Sequence, residues 1–230
     1  MEAFDSCLNF TRNEEGGYTC DPHDSGNWST GLAGIGQLIG SNMGVSAPTL
    51  ISWVDRDAAG AVDSSLMRSL PEATYQAIAR ARYWRSLSCD GLAASVAMMV
   101  FDFGWNVGVG KSARLLQTCV GMTGDLVDGD VGLKTLSMVA APAWTTILDG
   151  LDHPGVRQLQ ALCKIEQDGL IGPGTLGALE GRPELRSTGL VLKLTQSQTA
   201  LYRSSLNFAR YGRGWLARTG RRSAAALALL

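Results

Sequence analysis

A nine-residue pattern occurs twice in the second half of this chain, and that repetition constrains the fold more than any other feature. Residues 128–136 read Asp-Gly-Asp-Val-Gly-Leu-Lys-Thr-Leu, and residues 168–176 read Asp-Gly-Leu-Ile-Gly-Pro-Gly-Thr-Leu. The shared pattern is Asp-Gly-x-x-Gly-x-x-Thr-Leu. Each copy follows a Leu-Gln pair, Leu116-Gln117 and Leu159-Gln160, with Gln-to-Asp spacings of 11 and 8. Asp-Gly specifies a turn, the next glycine permits a tight bend, and the threonine can open a helix. The pattern reads as a repeated helix-turn-helix packing unit. Direct contact of these loops with a glycan is the functional alternative.

Most of the remaining chain also reads as helix. Residues 2–15 form a short first helix, stopped by Gly16-Gly17 because tandem glycine sustains a helix poorly. Ser69-Leu-Pro-Glu72 has the form of a capping box, predicting a helix to about residue 87. A second helix follows from Asp90, where Leu92, Val96, Met99, Val100 and Phe103 recur at helical spacing, with Gly104 and Gly108 bracketing its end. Residues 110–120 continue as helix. Residues 185–209 form the longest candidate, expected to end at Gly212 and Gly214 before a final basic helix anchored by Trp215-Leu216. Residues 18–50 are rich in Gly, Asn, Asp, Ser and Pro and predict a long loop or a small, weak sheet. A loop that long in a compact domain is usually functional. The weak period-2 signal leaves room for a short hairpin only, so the fold class is mainly α.

Composition bounds the chemistry. With 45% apolar and 18% charged residues the chain is globular, and 230 residues bury enough surface to fold without metal or disulfide. Five cysteines lie without zinc-ligand spacing and only two histidines accompany them, so no metal site is expected. At least one thiol stays free in a monomer, and a Cys7–Cys20 bridge remains open. Net charge is -1 but uneven. Residues 185–230 hold eight basic residues and no acid, against 12 basic and 21 acidic elsewhere. Such a dipole favours an anionic polymer or surface, and no nucleic-acid motif accompanies it. Gly-Val-Gly-Lys-Ser at 108–112 lacks the full phosphate-loop pattern and follows a helix rather than a strand. No 18-residue apolar run predicts a membrane span, and the acidic N-terminus does not resemble a signal peptide. Cytoplasmic synthesis is expected, with release or assisted export for any action outside.

Glu15 is the leading candidate for chemistry. A carboxyl group at a helix C-terminus faces the negative end of the dipole, which favours the protonated acid a general acid needs. Glu14 competes for the role on spacing alone. Asp24, Asp21 and Asp102 are candidate second carboxylates, with Asp21 reading as a turn cap and Asp102 as a structural salt bridge or cap. Tyr18, Trp28, Tyr83, Trp84 and Trp105 could stack on sugars, although each aromatic also suits a core. Cys20 and His23 lack a third group for nucleophilic catalysis.

Glu15-Gly16-Gly17-Tyr18 and Asp21-Pro22-His23-Asp24-Ser25-Gly26 resemble the opening signature of glycoside hydrolase family 108, a family of bacterial and phage N-acetylmuramidases. The common form continues with a second glycine and a threonine, whereas this chain reads Asn27-Trp28-Ser29-Thr30-Gly31, like a subgroup with a Gly-Asn-Trp loop. Ala81-Arg82-Tyr83-Trp84 is similar to the family's Tyr-Trp helix, and Phe101-Asp102-Phe103-Gly104-Trp105-Asn106-Val107-Gly108 to its Phe-Asp-x-x-x-Asn-x-Gly block. The second repeat and Gly214-Trp215-Leu216-Ala217-Arg218 resemble the family's C-terminal predicted peptidoglycan-binding module.

The resemblance implies a lysozyme-like fold with a short β or loop region, a catalytic region over 1–109 and a helical module over 110–230. It implies hydrolysis of the β-1,4 bond between N-acetylmuramic acid and N-acetylglucosamine, with Glu15 as general acid and no cofactor. Asp24 is the expected second carboxylate, and Tyr18, Trp28, Tyr83, Trp105 and Asn106 the expected substrate contacts. Peptidoglycan strands are the expected partner, with an anionic envelope surface for the basic C-terminal region. A lytic transglycosylase or a non-catalytic wall-binding protein would suit the same fold, although Glu15 argues against the second.

Overall fold

The computed structural model describes residues 2–54 and 62–230. Helices dominate it, and strand pairing among the described residues is confined to single bridges. The chain forms two compact units, one of Leu8–Arg82 and one of Met1–Cys7 with Tyr83–Leu230. These units divide the chain elsewhere than at residue 109.

α1 (Ala3–Glu14), whose residues from Leu8 onward belong to the Leu8–Arg82 unit, leads into a long irregular segment of that unit. Isolated antiparallel bridges, Thr19 with Ser41, Trp28 with Leu38 and Asn42 with Val45, replace the small sheet. Gly40 explains part of this shape. Its φ of 94° belongs to glycine, and a Cβ there would lie 2.6 Å from the Thr19 carbonyl oxygen and the Tyr18 ring. The backbone can approach this closely only without a side chain. Three helices follow, α2 (Ala47–Val54), α3 (Ser64–Arg68) and α4 (Glu72–Ile78). Asp63 caps α3 by accepting the Leu66 N–H at 2.8 Å, and Asn42 donates to the carbonyls of Met67 and Arg68 at its other end.

The expected capping box does not form. Ser69 donates its hydroxyl back to the Ser65 carbonyl, while Glu72 pairs with Arg12 of α1 at 2.8 Å. Pro71 occupies the cap position without a side-chain bond. The helix expected to reach residue 87 changes to π geometry over Ala79–Trp84, and the turn beyond contains Ser88 in the left-handed region, at φ 47°.

In the other unit, α5 (Ala94–Val107) is the central helix. Leu92 and the predicted stripe of Val96, Met99, Val100 and Phe103 are buried, and so are Ala97, Met98 and Phe101 around them. A helix apolar on every side is a core helix. Its one acid, Asp102, is fully buried and must be paired. Next come α6 (Val109–Cys119), α7 (Leu133–Ala140), α8 (Trp144–Leu148), α9 (His153–Cys163) and α10 (Pro173–Glu180). Two long helices close the chain, α11 (Arg186–Arg203) and α12 (Phe208–Leu227).

Gly212 and Gly214 do not end a helix, as expected, but lie inside α12; the break falls at residues 204–207. Gly212 is buried against the ring of Phe208 one turn earlier, where a side chain would collide. Its purpose is close packing. The basic C-terminal region is also not uniformly outward-facing. Arg218 and Arg222 are buried and hold Asp102, through Arg218 Nη2 to Oδ1 at 2.6 Å and Arg222 Nη1 to Oδ2 at 3.0 Å.

The two repeats build the same network. Gln117 Nε2 donates to the Asp128 carboxylate at 2.7 Å, the Asp130 carbonyl at 2.9 Å and the Thr135 hydroxyl at 3.3 Å, while its Oε1 accepts the Gly129 N–H at 2.9 Å. Gln160 does likewise with Asp168 at 2.7 Å, Leu170 at 3.0 Å, Thr175 at 3.1 Å and Gly169 at 2.9 Å. A buried amide thus satisfies the turn that the repeated Asp-Gly initiates, whichever spacing separates them.

Candidate active site

The residue after α1 is Glu15, whose N–H still donates to the Thr11 carbonyl at 3.0 Å. Its side chain is half-buried. Gly16 and Gly17 are exposed, neither has a left-handed backbone, and a Cβ on either would meet nothing within 4 Å. Neither conformation nor packing against the described residues requires glycine there. The surface immediately after Glu15 is therefore open.

The following loop is knitted by its own polar groups. Asp24 caps the short 3₁₀ turn Ser25–Asn27, its Oδ1 accepting the Gly26 N–H at 2.9 Å. Asp21 makes the matching turn, accepting the His23 N–H at 2.9 Å. Asn27 is buried; its side chain donates to the Asp21 carbonyl at 3.0 Å, and its own carbonyl accepts from Ile39 and Gly40 at 2.9 Å. Trp28 is half-buried, with its indole N–H fixed on the Pro22 carbonyl at 2.9 Å. Asp24 is exposed at the head of this frame, with one carboxylate oxygen committed to the cap.

Tyr18 anchors the frame from beneath. Its hydroxyl donates to the Ile39 carbonyl at 3.0 Å, and the Arg68 guanidinium lies 4.1 Å from the ring centroid. One face of the ring is thus occupied. A hydrogen bond with the Cys20 thiol leads the effects that push the Tyr18 hydroxyl above its ordinary pKa. Glu15, Tyr18, Asp24 and Trp28 all belong to the Leu8–Arg82 unit.

Tyr83, Trp105 and Asn106 belong to the other unit. Trp105 is only 7% exposed, packed against Tyr83 at 4.3 Å and Phe101 at 6.2 Å between ring centroids. It is a core ring, so the expected open stacking face is not there. Tyr83 is half-buried. Asn106 is exposed and accepts the Tyr202 hydroxyl at 3.0 Å. Asp102 has the structural role its aromatic neighbours suggested.

Sequence reasoning missed Asn27 as the organiser of the loop. An asparagine among glycines and aspartates was the available signal, and only its burial and the bonds from residue 27 to 39–40 reveal its part. All five cysteines are free. Burial, reinforced by Asp102, pushes the Cys7 thiol up to about 12, and burial also raises those of Cys89 and Cys119.

The family model for glycosyl hydrolase 108 matches residues 8–108, a span that holds every one of these candidate residues. Over residues 8–108 the chain is thus similar to glycosyl hydrolase family 108. The chain is a glycoside hydrolase, and this family points to peptidoglycan as the polymer hydrolysed. Among solved structures, that of Brucella abortus SagA matches with a TM-score of 0.58, covering 98% of this chain and 94% of SagA at 22% identity. At that identity the likeness is one of fold, and it extends beyond residues 8–108. No curated protein sequence matches the chain. No helix among the described residues is long and apolar enough to cross a membrane.

Proposed function

We propose that this enzyme is an N-acetylmuramidase that hydrolyses the β-1,4 bond between N-acetylmuramic acid and N-acetylglucosamine. The observation that carries the reading is Glu15 itself. It is a half-buried carboxyl group at the C-terminal end of α1, followed by two glycines that nothing among the described residues requires. The bare backbone after it admits a bulky substrate where side chains would obstruct. Glu15 protonates the glycosidic oxygen as the bond breaks and the anomeric carbon takes on oxocarbenium character.

Asp24 is the second carboxylate. Its turn cap fixes its direction, and it stabilises the developing positive charge or orients the attacking water. Trp28, fixed through its indole N–H, is the sugar platform of the same loop. Tyr18 positions this loop through Ile39. The exposed arginines of the C-terminal helices assist association with the anionic wall.

Product analysis tests the reading. Purified peptidoglycan is digested, the fragments are reduced with borohydride, and their masses are read. A muramidase leaves the reduced end on muramic acid. A reduced end on glucosamine would assign a glucosaminidase instead. Anhydro ends, one water lighter and resistant to reduction, would assign a lytic transglycosylase.

A further inference from the structure

Between Asp24 and Asp55 the chain carries no charged residue, and within that stretch Leu32-Ala33-Gly34-Ile35-Gly36 are all exposed. Leu32 is 58% exposed and Ile35 55%. One turn presents both, closed by the Ile35 N–H on the Leu32 carbonyl at 3.1 Å. The chemistry assigned to Glu15 and Asp24 makes no use of them.

The turn is tied together from its base. Trp28 and Leu38 form a bridge there. Next, the Ser29 N–H donates to the Gln37 carbonyl at 2.8 Å, and the Gln37 N–H donates to the Ser29 hydroxyl at 2.9 Å. The Thr30 hydroxyl donates to the Ile35 carbonyl at 2.6 Å and accepts the Leu32 N–H at 3.3 Å. These bonds satisfy the backbone of the turn internally, so it keeps its shape without burying its two aliphatic side chains. Trp28 and Asp24 lie on the same segment, so the tip continues the frame of the candidate site. Leu32 follows Trp28 by four residues, a span of no more than about 15 Å.

We infer that Leu32 and Ile35 set the specificity of the active site: they contact the lactyl-peptide arm of muramic acid, so that peptide-bearing glycan is preferred to bare glycan. The inference rests on Glu15 as the place of cleavage and on peptidoglycan as the polymer. Sugar edges present hydroxyls, which need hydrogen-bond partners that aliphatic side chains lack. An anionic polymer or surface would need cations, and this stretch has none. In peptidoglycan, exposed aliphatic groups stand on the lactyl ether and on the alanine joined to it, both projecting from the glycan strand. Burying one methyl group against the tip strengthens binding by about fourfold.

The test uses uncrosslinked glycan chains prepared with and without their stem peptides. Values of kcat and KM are measured for the wild-type chain, Leu32→Ser/Ile35→Ser and the conservative Leu32→Met/Ile35→Val. Wild type should favour the peptide-bearing chains by about three- to tenfold in kcat/KM, through KM. The preference should be equal at low and high salt, because no ion pair carries it. The serine variant should lose most of it by a raised KM on peptide-bearing chains, and the conservative variant should keep it. The inference is overturned if wild type shows no preference, or if the preference vanishes in salt, which would trace it to repulsion between Asp24 and the bare lactyl carboxylate. It is also overturned if the serine variant keeps the preference; loss of binding to phosphatidylcholine vesicles in that variant would then assign the tip to a lipid surface. Product masses from the same digests report the bond cleaved, so failure of the muramidase reading shows separately.

Discussion

The two compact units treat their carboxylates in opposite ways. In Leu8–Arg82, Asp24 is exposed and Glu15 half-buried, on a segment shaped by glycines and single bridges. In the unit containing Tyr83–Leu230, Asp102 is sealed inside the central helix and neutralised by two arginines from α12. An acid that is desolvated and doubly paired is held for architecture, since it cannot exchange a proton without breaking both pairs. An acid at a helix end beside bare backbone can meet a substrate. The family match spans Glu15, Asp24 and Asp102 alike, and only the surroundings of each carboxylate separate chemistry from support.

The largest stability effect should come from Asp102. Asp102→Ala strands two buried guanidinium groups and should cost about 3–5 kcal/mol, or prevent folding. Asp24→Asn keeps the turn's acceptor oxygen and should change stability by less than about 1 kcal/mol, while lowering turnover more than substrate binding. Urea unfolding of both variants, with steady-state digestion by Asp24→Asn, checks the contrast. Equal stability losses would erase it.

Gly40→Ala comes next. A left-handed backbone with no room for Cβ predicts a loss of about 1–3 kcal/mol. Hydrogen exchange should show the loss concentrated in residues 18–46, with α5 and α12 still protected. Uniform loss of protection would mean that the two units unfold as one.

Smaller effects should follow acid. Bonds from Gln117 and the Asp130 N–H hold the Asp128 carboxyl below its ordinary pKa. The Leu170 N–H and then Gln160 do so for Asp168. A depressed folded pKa stabilises fully above the ordinary carboxylate range, and the contribution is lost as pH falls through the folded value. The melting temperature should therefore drop below about pH 4, and Asp128→Asn and Asp168→Asn should each flatten that drop. Both amides keep an acceptor, so melting near neutral pH should move little. A slope unchanged by either substitution would separate these carboxylates from stability.

Replacing the exposed Arg203, Arg210 and Arg213 by Gln should leave stability within about 0.5 kcal/mol. Binding to isolated sacculi at low salt should weaken, with turnover of a small soluble glycan unchanged. Unchanged sacculus binding with collapsed turnover would mean that these residues support the active region instead.

Local signals in the sequence foretold much of this. The stripe from Leu92 to Phe103 identified the core helix, and the repeated Asp-Gly pattern identified two equivalent turns. Features created by distant partners were not legible. Asp102 meets arginines 116 and 120 positions away, so its neighbours in sequence could suggest a structural role but not name the partner. The apparent capping box failed because Ser69 donates back to the Ser65 carbonyl of α3 and Glu72 pairs with Arg12, instead of each accepting a local backbone N–H. Gly212 reads as a helix stop until the ring of Phe208 is seen lying over it. At the candidate site, Glu15 and its glycines were visible as a motif, whereas the frame drawn by Asn27 needed the folded loop.

The rate at which Glu15→Gln releases soluble fragments from peptidoglycan, measured beside wild type and Glu14→Gln, tests the central claim most directly. Circular dichroism first establishes that all three are folded. Glu15→Gln preserves shape and removes the transferable proton, so its rate should fall by about 10²–10⁴-fold, while Glu14→Gln keeps most of its activity. A folded Glu15→Gln retaining more than roughly a tenth of the wild-type rate, or a deeper loss in Glu14→Gln, would contradict the assignment of Glu15 as the general acid.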